Sequence, residues 1–249
     1  MSPLVLLHGW ALTPAVWASF AHALPATLEV RTPALPGHAL APAVAPVLTA
    51  WTDALLPQLP GEAVVCGWSL GALVALDLAA RYPERVTRLI LIGGTPRFVS
   101  TAACDGGEAW QHGLDAKVAQ DFITRFGHDP AATMQRFIAL QALGDGRRRS
   151  VTTSLAAASS DTGPEHAGAL AAGLQVLTTT DLRPAIAHIA QPTLLLHGEG
   201  DALMPVAAAQ WLAEHLQDAR LVQFAGCGHA PFLSQPAECA AAIGHFTLD

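Results

Sequence analysis

The 249-residue chain carries a formal net charge of −7, with 51% hydrophobic and only 13% charged residues. Its length suits one large core, or a core with an inserted subdomain, and its acidic balance argues against a nucleic-acid binder. No apolar run approaches the ~20 residues that a membrane span needs. The opening stretch through His8 lacks the basic flank and long apolar core of a secretory signal, so a cytoplasmic protein is expected. Cys66, Cys104, Cys227 and Cys239 show neither metal-binding nor redox spacing and are expected to be free thiols.

Taken in order, the chain alternates apolar strand runs with helical patterns. Pro3–Leu7 reads as a strand ending in His8-Gly9-Trp10, and Pro14–Leu24 as a helix. Leu28–Thr32 is the next strand, stopped by the turn-rich Pro33 to His38. Leu48–Leu59 is helical, Ala63–Cys66 is a strand, Ala72–Arg81 is a helix stopped at Tyr82-Pro83, and Val86–Ile92 is a strand closed by Gly93-Gly94. From Phe98 to about Arg183 no strand pattern is evident. Helices are predicted near Ala116–Phe126, Pro130–Leu143, Arg147–Ala158 and Glu165–Thr178, with breaks at Gly106-Gly107, Gly127 to Asp129 and Ser159 to Pro164. Strands return at Thr193–Leu196 and Arg220–Phe224, with helices over Pro205–Gln217 and Pro236–Phe246. This alternation predicts an α/β fold: a mostly parallel, doubly wound sheet of about six strands, formed by residues 1–97 and 184–249, with a helical insertion at 98–183.

Gly67-Trp68-Ser69-Leu70-Gly71 lies between a valine-rich strand and an alanine- and leucine-rich helix. Strand, Gly-x-Ser-x-Gly, helix is the context of a nucleophile elbow, in which a strained turn lifts the serine hydroxyl clear of the sheet. A serine hydroxyl needs a base, and the base needs an orienting acid. Asp201 follows the Thr193–Leu196 strand, with Glu199 as the competing acid. His229 sits in a glycine-flanked loop after the last strand, with ten other histidines in competition. The order Ser69, Asp201, His229 is the one α/β-hydrolases use, and all three fall at carboxyl ends of strands. Backbone N–H groups of Leu70 and Trp10 are the candidate oxyanion donors, while His8 reads as a structural residue of the same loop.

The chain resembles the α/β-hydrolase superfamily with a helical cap, and within it the pimeloyl-acyl-carrier-protein methyl ester esterases of biotin synthesis. The matching stretches are Leu6–Trp10, Gly67–Gly71, Pro83–Val86, Arg136–Gln141, Leu177–Arg183 and Gly228–Pro231. The resemblance implies that Ser69 attacks the methyl ester of an acyl chain on acyl-carrier protein, with His229 as base, Asp201 as its orienting acid, and no metal or organic cofactor. It also implies an acyl site lined by Trp10, Ser69, Leu70, Phe137, Ile138, Ala139, Leu140, Gln141 and His229. Met134, Phe137, Ile138 and Gln141 share one helical face, which ordinary packing would also produce.

Five arginines lie between Arg125 and Arg149 against two aspartates, a local charge of +3. By resemblance Arg136 and Arg149 would dock the acidic carrier, whereas Ala132 and Thr153 replace other arginines of the family. A solvated helix face is the competing reading. The chain starts almost on the strand before His8-Gly9, so six strands are expected instead of eight, with Leu28–Thr32 at an edge. A monomer is expected. Other readings of the same residues are a short-chain esterase, a thioesterase, a carbon–carbon bond hydrolase, or a ligand receptor without turnover.

Overall fold

A computed structural model of the protein describes residues 2–103 and 108–248. Cys104 and the break at Gly106-Gly107 lie outside the described residues. Among those residues, six strands form one sheet: β1 (Leu4–Leu7), β2 (Val30–Arg31), β3 (Ala63–Trp68), β4 (Val86–Ile92), β5 (Thr193–Gly198) and β6 (Ala219–Phe224). The spatial order is β2-β1-β3-β4-β5-β6, and every pairing is parallel. β1, β3 and β5 are buried along their whole length, as a sheet covered on both faces requires.

The helices are α1 (Ala18–Ala21), α2 (Leu48–Leu55), α3 (Leu70–Arg81), α4 (Ala116–His128), α5 (Pro130–Gln141), α6 (Arg148–Ala157), α7 (Pro164–Thr179), α8 (Arg183–Ile186), α9 (Val206–His215), α10 (Pro231–Ser234) and α11 (Pro236–Leu248). Strand addition reverses direction after β2. Right-handed crossovers therefore put α1 on one face of the sheet and α2 and α3 on the other. The reversal leaves a crevice at the carboxyl ends of β1 and β3, where open α/β sheets place their ligands. Helices α4 to α7 lie between β4 and β5 in the chain. The turns that follow α6 and α7 meet the core through isolated bridges, Leu12 with Ser159 and Arg97 with Asp181.

Several boundaries differ from the sequence expectation. The second strand shrinks from five residues to Val30–Arg31 because the Leu28 N–H turns back to the Pro25 carbonyl at 3.0 Å instead of joining the ladder. It does lie at the sheet edge. β3 runs two residues further than predicted, because Gly67 and Trp68 pair with Leu91 and Ile92. α3 begins at Leu70, directly after the turn residue. The helix predicted from Pro14 is a single 3-10 turn followed by α1. Asp115 and Asp129 cap α4 and α5 by accepting backbone N–H bonds at 2.9–3.1 Å, so the predicted break at Gly127 to Asp129 ends in a true N-cap. Cys66, Cys227 and Cys239 are buried free thiols.

Candidate active site

Ser69 stands at the carboxyl end of β3 with φ 57° and ψ −116°, a conformation L-residues rarely adopt. The flanking glycines make it possible. A Cβ on Gly67 would fall 2.1 Å from the Gly71 carbonyl oxygen, and one on Gly71 would fall 2.3 Å from the Leu7 carbonyl oxygen. No other side chains fit where β1, β3 and α3 converge. The Ser69 N–H is held by the Ile92 carbonyl at 3.0 Å, and its hydroxyl makes no cap bond to α3. From Ala63 to Ala79 Ser69 is the one residue that is not buried.

His229 comes from the loop between β6 and α10. Its Nδ1–H donates to Asp201 Oδ2 at 2.7 Å, and both groups are buried. Asp201 Oδ1 accepts from the N–H groups of Leu203 and Met204, each at 2.9 Å, so the carboxylate cannot rotate away. Burial raises the Asp201 carboxyl, but the charge and hydrogen bond of His229, with help from His197, outweigh it and hold the group below the usual carboxylate range. Glu199, the competing acid, does not pair with His229. Among the described residues His229 Nε2 has no hydrogen-bond partner.

The serine and the histidine adjoin the same short turn. Ile92 binds the Ser69 N–H, and a Cβ on the next residue, Gly93, would lie 3.0 Å from the His229 ring. The Trp68 indole, beside Ser69, donates to the His229 carbonyl at 2.9 Å. Hydroxyl and imidazole are not hydrogen-bonded to each other, a spacing that commonly tightens only when substrate binds.

Opposite Ser69, the β1–α1 loop turns through Ala11 at φ 59°. His38 Nε2 accepts the Ala11 N–H at 3.0 Å, and His8 Nε2 accepts the Leu35 N–H at 3.1 Å. Both imidazoles must be neutral for this. Burial, with each ring near the other, lowers His8 to about 3, and burial lowers His38 to about 4. His8 is thus structural, as expected. His38 was not anticipated: its contact with Ala11 spans 27 residues and leaves no local pattern. The Leu70 N–H opens α3, where the helix dipole favours negative charge, and Gly9 approaches Ser69 so closely that a Cβ there would meet Ser69 Cβ at 3.4 Å.

An apolar cavity of about 140 Å³ adjoins this cluster. Trp10, Phe137, Leu140 and Leu177 line it, together with Ala202 and Leu203 beside Asp201. Ser69, Leu70 and His229 do not line it, nor do Ile138, Ala139 and Gln141: on α5 the cavity lies on the Phe137–Leu140 side, while Ile138 and Gln141 are buried. The Gln141 backbone carbonyl accepts the His229 N–H at 3.0 Å. Trp10 fixes the wall: its indole donates to the Leu170 carbonyl at 2.8 Å and meets Phe122, Phe126 and Phe137 edge-on. Arg125, Arg136, Arg147, Arg148 and Arg149 are exposed on α4, α5 and the start of α6, and among the described residues none forms an ion pair. Of the two acids among them Asp129 is exposed and Asp145 is buried, so the exposed side of this segment is more basic than its sequence charge.

Known proteins resemble the chain over nearly its full length. A profile described as "Alpha/beta hydrolase family" matches residues 4–242. The pimeloyl-[acyl-carrier protein] methyl ester esterase of Aromatoleum aromaticum is 58% identical over 96% of this chain and 96% of its own length. The like-named protein of Nitrosomonas europaea is 39% identical over 94% of this chain and 90% of its own length. Among solved structures, the enol-lactonase of Burkholderia xenovorans has a TM-score of 0.83 at 18% identity, covering all of this chain and 92% of its own, and so speaks to the fold alone.

Proposed function

The chain belongs to the alpha/beta hydrolase family and, within it, to the pimeloyl-[acyl-carrier protein] methyl ester esterases, and from that premise we propose a serine carboxylesterase that hydrolyses the methyl ester of a pimeloyl chain carried on acyl-carrier protein. The observation that carries it is the buried 2.7 Å bond from His229 Nδ1–H to Asp201, which leaves Nε2 as a free base beside an elbow serine. With Nδ1 protonated, the lone pair at Nε2 accepts the Ser69 proton as Oγ attacks the ester carbonyl. The oxyanion is stabilised by the N–H groups of Leu70 and Trp10. Collapse breaks the carbon–oxygen bond to methanol, which leaves with the proton from Nε2. Water, deprotonated by the same nitrogen, then attacks the acyl-enzyme and frees the carboxylic acid and Ser69.

The apolar cavity suits the methylene chain, with Phe137 and Leu140 as its walls in the helical cap of residues 98–183. The unpaired arginines, Arg136 and Arg149 among them, suit an acidic carrier by charge complementarity. Ser69→Ala should lower kcat/KM for a p-nitrophenyl ester by a factor on the order of 10⁴ or more. Unchanged turnover would remove Ser69 as nucleophile. The substrate class is tested by competing methyl pimeloyl-carrier protein against the free dimethyl ester. A preference for the carrier-bound form that shrinks with salt is expected, and equal turnover of the two would demote the enzyme to a general short-chain esterase.

A further inference from the structure

We infer that Asp145 is a positioning residue for His229, fixing from the α5–α6 turn the backbone of the loop that presents the imidazole. The inference rests on His229 acting as the base. Asp145 is buried, and among the described residues it has no cationic partner. A carboxylate taken out of water without a counter-charge is costly unless donors surround it. Three do. Oδ2 accepts the Gly228 N–H at 3.0 Å. Oδ1 accepts the Ser234 hydroxyl at 2.8 Å and the Arg147 N–H at 2.7 Å.

A helix cap for α6 would need only the bond to Arg147. The other two reach 83 and 89 residues along the chain, and they grip both ends of the Gly228–Ser234 segment. His229 lies between them. The rest of the turn presses on the same loop and on its neighbour. Gln141 accepts the His229 N–H at 3.0 Å, and the Gly146 N–H donates to the Gly226 carbonyl at 2.8 Å. A Cβ on Gly228 would fall 2.8 Å from the Gln141 oxygen. Gly144, at φ +80°, sits where a Cβ would be 2.4 Å from the Gly200 oxygen, one residue before Asp201. One turn of the insertion therefore braces both the acid loop and the base loop. It begins where α5, which supplies Phe137 and Leu140 to the cavity, ends.

The test compares the full chain with Asp145→Ala and Asp145→Asn. Misplacing a catalytic group by a fraction of an ångström acts on turnover more than on binding, so Asp145→Ala should lower kcat about 10-fold or more with KM nearly unchanged. The downfield proton resonance of the His229 Nδ1–H should broaden or shift in the same variant, which loss of stability alone would not cause. Asp145→Asn keeps one acceptor oxygen and should fall between the two, with kcat reduced about 2- to 5-fold. A folded Asp145→Ala protein with wild-type kcat and an unmoved resonance would overturn the inference, even if its Tm fell. If Asp145→Ala does not fold, Asp145→Asn decides: wild-type kcat and resonance reject the inference, and a lower kcat at constant KM with a displaced resonance supports it. Turnover that survives Ser69→Ala would instead reject the parent reading.

Discussion

The carboxyl edge of the sheet and the inserted helices solve the same problem, placing groups around one hydroxyl, by different means. At the sheet edge backbone meets backbone: Gly67, Gly71 and Gly198 stand where a Cβ would lie 2.0–2.3 Å from a carbonyl oxygen. At the cavity wall of the insertion, side chains do the work, with Phe122, Phe126 and Phe137 stacked edge-on around Trp10. The first kind of contact admits almost no substitution. The second tolerates repacking at a moderate cost. Rate should therefore be brittle to change at the edge, and substrate preference should be adjustable at the cavity wall.

Gly67→Ala should break this contrast most severely. Its methyl collides with main chain that cannot move, and a loss above about 4 kcal/mol is expected, read as failure to give a cooperative urea transition. A tolerated alanine would mean that the elbow has slack. Asp201→Asn should leave the fold intact but lower kcat by about 10⁴-fold, because the amide favours the wrong imidazole tautomer. Esterase assays beside circular dichroism separate the two effects. Phe137→Ala, in the insertion, should cost about 3 kcal/mol and shift the preferred acyl length upward, as measured with a series of p-nitrophenyl esters. A drop in kcat equal for every chain length would blur the division between edge and insertion.

A pH scan sharpens it further. His8 and His38 titrate near 3 and 4 in the fold but near 6.5 when unfolded. The unfolded chain thus binds more protons in the interval between. Their contribution to stability is complete above about pH 6.5 and is lost as pH falls through 4, on the order of 2 to 3 kcal/mol for each imidazole by pH 4.5. His38→Gln should flatten that limb of the stability curve in chemical denaturation. An unchanged slope would show that the fold does not hold the His38 imidazole neutral.

The fold was legible wherever a short range of sequence carries its own physics. β4 matched its apolar run residue for residue, and the elbow announced itself because the two glycines that flank Ser69 are demanded by local sterics. Asp201 and His229 could be chosen because strand ends and chain order restrict them. β2 was overdrawn, since Leu28 looks like strand but spends its N–H in a turn. α8 and α10 are single turns, too short for any periodicity. Of the contiguous stretch Phe137 to Gln141, only Phe137 and Leu140 line the cavity, because a run along a helix cannot face one way. Gly93-Gly94 read as a strand stop, yet Gly93 also makes room for the His229 ring. His38 and Asp145 act across 27 to 89 residues of chain, and nothing near them in sequence reports it.

Trp10 joins the two regions in one residue. Its peptide follows Gly9, which packs against Ser69, while its indole walls the apolar cavity and is pinned to Leu170. An evolving lineage that enlarges the chamber by trimming this side chain would loosen the very peptide expected to receive the developing negative charge. Broader chain tolerance and speed are therefore traded against each other at position 10, and a route to new substrates that spares turnover must start from the helices instead.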